Sequence, residues 1–168
     1  GVGFGAYVQC FYGYSNLRDP IAYADFSFQV STYMAFGVNR LSFYGYRDYG
    51  TESHLMEGGE PREKWYHVQK INTLIKKLDG LLYNFDWEGL YTNIGTGSFF
   101  ATNEAFEAVK NDVLKDLDGV KSFKSKYDSI VGQFKDKDGR NAYMLVNYEE
   151  PSEVKNNKVT MTFEDADG

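Results

Sequence analysis

Cys10 is the only cysteine in the 168 residues, so no intrachain disulfide can form. It lies in an apolar run, where a buried, inert thiol is the expected state. Cysteine usage leaves the redox compartment open, and with it the choice between a cytoplasmic and a secreted location. No apolar stretch approaches the ~20 residues that span a bilayer. No basic segment followed by an apolar one opens the chain. Basic residues are outnumbered: 18 Lys and Arg stand against 24 Asp and Glu, for a net charge of −6 and a pI near 4.9. The densest basic stretches, Lys76–Lys77 and Lys121 to Lys126, are interleaved with other residues and make no patch. Nucleic acid and membrane are therefore excluded as expected partners. His54 and His67 are the only histidines, and neither has a second His, a Cys or paired carboxylates at zinc spacing, so no metal and no cofactor are expected. The chain contains no Gly-x-Ser-x-Gly elbow. The glycines at Gly1, Gly3 and Gly5 precede a strand instead of following one, the wrong order for a phosphate loop. Asp136 to Gly139 mimics the start of an EF-hand loop but lacks its closing Glu. The chain begins at Gly1 without Met, which reads as processing or truncation.

Aromatic residues, by contrast, are abundant. They make up 17% of the chain, mostly 14 Tyr and 13 Phe. Tyrosine has an apolar ring with a polar tip, so it serves a packed core and a wet cleft equally well. Both readings stay open on composition alone.

Residues 6–12 form a short apolar and aromatic run between glycines, the pattern of a buried strand in a parallel sheet. Asp19-Pro20 then offers a helix start, with Asp as cap and Pro in the first turn. From Ile21 to Phe36 the apolar residues Phe26, Val30, Tyr33 and Met34 share one helical face, and Gly37 ends it. Residues 40–46 read as a second aromatic strand. Residues 47–61 are polar and glycine-rich. Pro61 opens a helix over about residues 62–82. On that helix Val68, Ile71, Ile75 and Leu78 make an apolar stripe, with Lys70, Lys76 and Lys77 exposed. Strands alternating with amphipathic helices predict parallel βα units, with residues 6–12 and 40–46 adjacent.

The texture then changes. Residues 84–97 show no clear period, and Asn103 to Leu117 has the spacing of a short helix. Beyond it lie strand-like runs containing Phe123, Tyr127, Ile130, Val131 and Phe134, an Asp-Gly turn at Asp136 to Gly139, and strands at 142–148 and 159–163. The expected fold class is α/β, then mainly β, with a first domain over 1–85 and a β-rich second domain over 86–168.

Four segments in order carry a resemblance: Val8-Gln9-Cys10-Phe11, Leu17-Arg18-Asp19-Pro20, Tyr33-Met34-Ala35-Phe36-Gly37 and Phe43-Tyr44-Gly45-Tyr46. Tyr66-His67-Val68-Gln69-Lys70-Ile71-Asn72 and Asn141 to Tyr148 extend it. Together they resemble the C-terminal part of β-galactosidase-like, clan-A glycoside hydrolases. The resemblance implies the last two βα units of a (β/α)₈ barrel, followed by part of an antiparallel β-sandwich domain. It implies carbohydrate as the ligand. It also implies a partner: the remainder of the same polypeptide, or another chain, completing the barrel. The family's nucleophile is a Glu near the end of the seventh strand, but this strand carries Gln9, with no acid before Asp19. The second carboxylate would lie on a strand outside this sequence. No catalytic residue is thus assigned, and the chain alone is expected to be inactive.

Barrel sites lie at the C-terminal ends of the strands. Alternation puts Tyr7, Gln9 and Phe11 on one face of the first strand and Ala6, Val8 and Cys10 on the other. On the second strand Ser42, Tyr44 and Tyr46 oppose Leu41 and Phe43. The candidate sugar-binding residues are therefore Gln9, Tyr12, Tyr14, Tyr44 and Tyr46, with aromatic plugging of a core as the competing reading. Glu52, Glu57 and Glu60 form an acidic loop after the second strand, read as solvated or substrate-facing. Three functions follow: a fragment of a glycoside hydrolase supplying cleft walls, a non-catalytic carbohydrate-binding or scaffold protein of the same architecture, and a small α+β interaction domain centred on the helix over 62–82.

Overall fold

A computed structural model describes residues 5–10, 22–46, 54–93, 113–151 and 156–164. Two compact units are present. The first comprises residues 1–33 and 38–83, the second residues 34–37 and 84–168.

The first unit is built on β1 (Gly5–Gln9) and β2 (Arg40–Tyr44), which pair in parallel with Tyr7 opposite Ser42 and Gln9 opposite Tyr44. The helix α1 (Tyr23–Ala35) connects them in sequence. This is the strand–helix–strand arrangement that the alternation predicts. Asp19 and Pro20 lie outside the described residues, and within them the first turn of α1 is tied differently. Asp25 Oδ2 accepts a hydrogen bond from the Ala22 amide at 2.9 Å, satisfying a donor that the helix itself leaves free. Phe26 and Val30 on α1 are buried, as are Val8 on β1 and Cys10 just after it.

The loop after β2 contains a two-residue hairpin, β3 (Met56–Glu57) with β4 (Glu60–Pro61), turned by Gly58 and Gly59 at positive φ. Pro61 therefore ends a strand instead of opening a helix. Arg62 takes the cap position, and α2 runs from Glu63 to Lys77. The helix expected over 62–82 breaks at Leu78, and α3 (Asp79–Asn84) follows. The apolar stripe fades along the way. Val68 and Ile71 are buried, Ile75 is half-buried, and Leu78 is 38% exposed; Lys70, Lys76 and Lys77 are exposed as expected. Periodicity marks the face of a helix but not how far its neighbours extend along it. Replacing Ile71 by Ala is expected to cost about 2–5 kcal/mol, while Leu78→Ala stays within about 1 kcal/mol. Chemical denaturation of the two variants checks the contrast, and equal losses would contradict it.

The second unit holds a three-stranded antiparallel sheet in the order β5 (Phe85–Asn93), β7 (Ser129–Asp136), β8 (Asn141–Asn147). A two-stranded antiparallel sheet joins β6 (Val120–Ser125) to β9 (Val159–Phe163). Strand β5 falls where the sequence shows no period. A bulge between Trp87 and Gly89 shifts its register and disrupts the alternation that would have marked it. The helix expected from Asn103 lies mostly outside the described residues, and its described end, 113–117, is not helical. There the Leu114 amide instead donates to the Leu90 carbonyl at 2.6 Å. The Asp-Gly turn forms as expected. Gly139 sits at φ +82, and Asp136 Oδ1 accepts the amides of Asp138 and Arg140.

Strand β7 is central, and all residues from Ser129 to Phe134 are buried. A core of Leu90, Ile130 and Val146 packs with Ala35, from the last turn of α1. Trp87 Nε1 donates to the Ala35 carbonyl at 2.9 Å, satisfying an acceptor freed at the helix end.

Candidate functional site

Alternation along β1 and β2 separates two faces, and burial tells them apart. Val8 is buried, and Leu41 and Phe43 are half-buried. On the opposite face Tyr7 is 71% exposed and Tyr44 58%. The parallel register brings these two rings together at 6.1 Å between centroids, edge to face at 85°, an attractive aromatic geometry. Ser42 is exposed on the same face, and half-buried Gln9 stands opposite Tyr44 in the register. Tyr46, just past the end of β2, is also exposed, and its carbonyl accepts the Met56 amide at 3.0 Å. Tyr12 and Tyr14 lie outside the described residues. Of the five expected sugar-binding residues, three are described, and Gln9 and Tyr44 are brought into register.

The end of β1 is held in place from α1. Gln29 Oε1 accepts the Gln9 amide at 3.0 Å, and Gln29 Nε2 donates to the Gln9 carbonyl at 3.5 Å. One side-chain amide thus fixes the main chain on which the Gln9 side chain is carried. The sequence gives no sign of this, because the two residues are twenty positions apart.

The exposed face offers two rings, an amide and hydroxyls. Rings of this kind stack on the apolar face of a sugar, and amides and hydroxyls read its hydroxyl groups. Strands β1 and β2 carry no Asp or Glu, so they bring no carboxylate to this face.

The other candidates resolve more simply. Glu57 and Glu60 are exposed, and Glu57 pairs with Arg62. Glu52 lies outside the described residues. His54 is buried, and His67 packs between Tyr23 and Phe26 at centroid distances of 6.1 and 6.2 Å. No group of three His, Cys, Asp or Glu able to hold a metal occurs among the described residues. No helix among them is long and apolar enough to cross a membrane.

Cys10 is buried with its Sγ 3.5 Å from the Val8 carbonyl, and burial pushes its thiol up to about 12. The thiolate is the reactive form. Native protein at pH 8 is therefore expected to leave Cys10 unmodified by a disulfide reagent, with one equivalent reacting after denaturation. Prompt reaction of the native protein would show that the residue is not buried.

Sequence reasoning missed the polar groups of the second unit. Asp128 and Glu149 are both buried, and Glu149 Oε1 accepts the Asp128 amide at 3.1 Å. Asn157 ties three segments together, donating to Ser125 Oγ at 2.8 Å and Asn147 Oδ1 at 3.0 Å while accepting the Tyr127 amide at 3.1 Å. At the surface Lys135 Nζ bonds Asp118 Oδ2 at 2.7 Å, and that hydrogen bond holds the Asp118 carboxyl below the usual carboxylate range. These contacts fix turns and strand ends; their only trace in the sequence is the polar residues beside short β runs.

In comparisons with known proteins, no family model, no curated protein and no solved structure matches this chain.

Proposed function

We propose that this chain is part of a β-galactosidase-like glycoside hydrolase, in which β1 and β2 belong to the wall of a sugar-binding cleft. The observation that carries the reading is the exposed pair Tyr7 and Tyr44, set edge to face on two parallel strands with Gln9 and Ser42 alongside. In an isolated soluble unit, burying such rings would remove a large apolar area from water. Their exposure fits a surface that waits for a ligand, or for further strands. In this reading those strands come from the same polypeptide or from another chain, and they bring the catalytic carboxylates.

The test is a titration of ¹⁵N-labelled protein with lactose and other hexosides, followed by amide shifts. Saturable shifts confined to Tyr7, Gln9, Ser42, Tyr44 and their neighbours are expected, with millimolar affinity. Tyr44→Ala is expected to weaken binding by about tenfold, or about 1.4 kcal/mol. The chain is expected to turn over no aryl glycoside. Shifts absent across the whole panel would sink the reading.

A second reading has its own support. Gln9 occupies the strand on which the resemblance expects a carboxylate, and an amide is not a nucleophile. A non-catalytic carbohydrate-binding protein of the same architecture accounts for that directly. Sugar binding without turnover by the polypeptide that carries the remaining strands would favour it.

A further inference from the structure

The charge of this chain is not spread evenly. Against an overall net charge of −6, α2 carries four lysines, Lys64, Lys70, Lys76 and Lys77, and one glutamate, Glu63. No carboxylate pairs with Lys70, Lys76 or Lys77 among the described residues. Lys70 Nζ instead lies 4.2 Å from the centre of the Tyr23 ring, an arrangement that holds an ammonium in place without neutralising it. Around it is a depression of about 420 Å³ lined by Tyr23, Gln69, Lys70, Thr73, Leu74 and Lys77. Leu74 forms part of its wall and is 50% exposed, and Leu78 and Leu81 are exposed in the turn and short helix that follow. Tyr23 and Leu74 thus give the depression an apolar part, with Gln69 and Thr73 beside it and positive charge that no described carboxylate pairs at its edge.

We propose that this surface docks an acidic amphipathic helix of another protein. The depression takes one apolar anchor of that helix, Leu78 and Leu81 extend the contact, and Lys70 and Lys77 receive flanking carboxylates. Helix-in-groove recognition uses this division between apolar anchors and charged rim. Two other occupants fit less well. An anionic bilayer is flat and would repel the remainder of an acidic chain. A second copy placed across a two-fold axis would set these lysines against themselves.

The experiment uses the full chain, ¹⁵N-labelled, and a synthetic helix-forming peptide with leucines on one face and glutamates flanking them. A control peptide replaces every glutamate by lysine. Saturable shifts at Tyr23, Lys70, Thr73, Leu74 and Lys77 with the acidic peptide alone are expected, weakening as salt is raised. Lys77→Glu and the double variant Lys70→Glu/Lys77→Glu are expected to weaken binding about tenfold or more, with unchanged far-UV circular dichroism. Both lysines are exposed, so the variants retain the core. Equal binding of the two peptides overturns the proposal, as does failure to bind the acidic one. Shifts at this surface with phosphatidylserine vesicles but not with the peptide would assign it to membrane. Concentration-dependent dimerisation that occupies the same residues would assign it to self-association.

Discussion

Gly132→Ala is expected to destabilise the protein by about 3 kcal/mol or more. Gly132 lies in the central strand β7, inside a fully buried run. A Cβ built there would meet main-chain atoms of Ala35, with the Ala35 Cα at 2.8 Å. Flexible side chains can turn away from an added methyl, but a helix backbone cannot. The main chain at Ala35 would have to move away from the sheet. That would strain the hydrogen bond from Trp87 to the Ala35 carbonyl and open the core of Leu90, Ile130 and Val146. Because the obstruction is main chain, a second change, Ala35→Gly, should not restore stability. Denaturant unfolding of the single and double variants provides the check. A loss under about 0.5 kcal/mol, or rescue by Ala35→Gly, would show that the helix end does not rest on Gly132.

Phe26→Ala should cost about 3–5 kcal/mol, whereas Tyr7→Ala and Tyr44→Ala should each cost about 1 kcal/mol or less. Phe26 is completely buried in the first unit. Removing its ring leaves a cavity beside His67 that the surrounding core can close only in part. Tyr7 and Tyr44 are mostly in water, 71% and 58% exposed, so removing their rings uncovers little buried apolar area. The three variants separate core aromatics from surface aromatics, and the proposed cleft wall depends on that separation. If Tyr7→Ala unfolded the protein as readily as Phe26→Ala, both rings would be core, and the sugar-binding reading would lose its surface.

The local order was legible in the sequence wherever one residue's environment repeats along an element. The alternation in 6–12 and 40–46 marked which side chains share a face, and the burial of Val8 and exposure of Tyr7 follow it. The 3.6-residue spacing of Phe26, Val30 and Met34 marked the inner face of α1, and the Asp-Gly pair marked the turn before β8. Each of these depends on neighbours a few residues away, which the sequence lists directly. Other features depend on partners distant in the chain, and only the tertiary structure decided them. The bulge in β5 hid a nine-residue strand. Gln29 anchors Gln9 across twenty residues, and Asn157 reaches Ser125 across thirty-two. Within the second unit, Ala35 packs with strands some fifty to over a hundred residues later, because Gly132 and Trp87 leave room and a hydrogen bond for it. The same limit governs the candidate site. Aromatic richness in the sequence fitted a core and a cleft equally, because an amphipathic ring is stable in either place. Which tyrosines face water was settled by how the remaining chain packs against the other face of each strand.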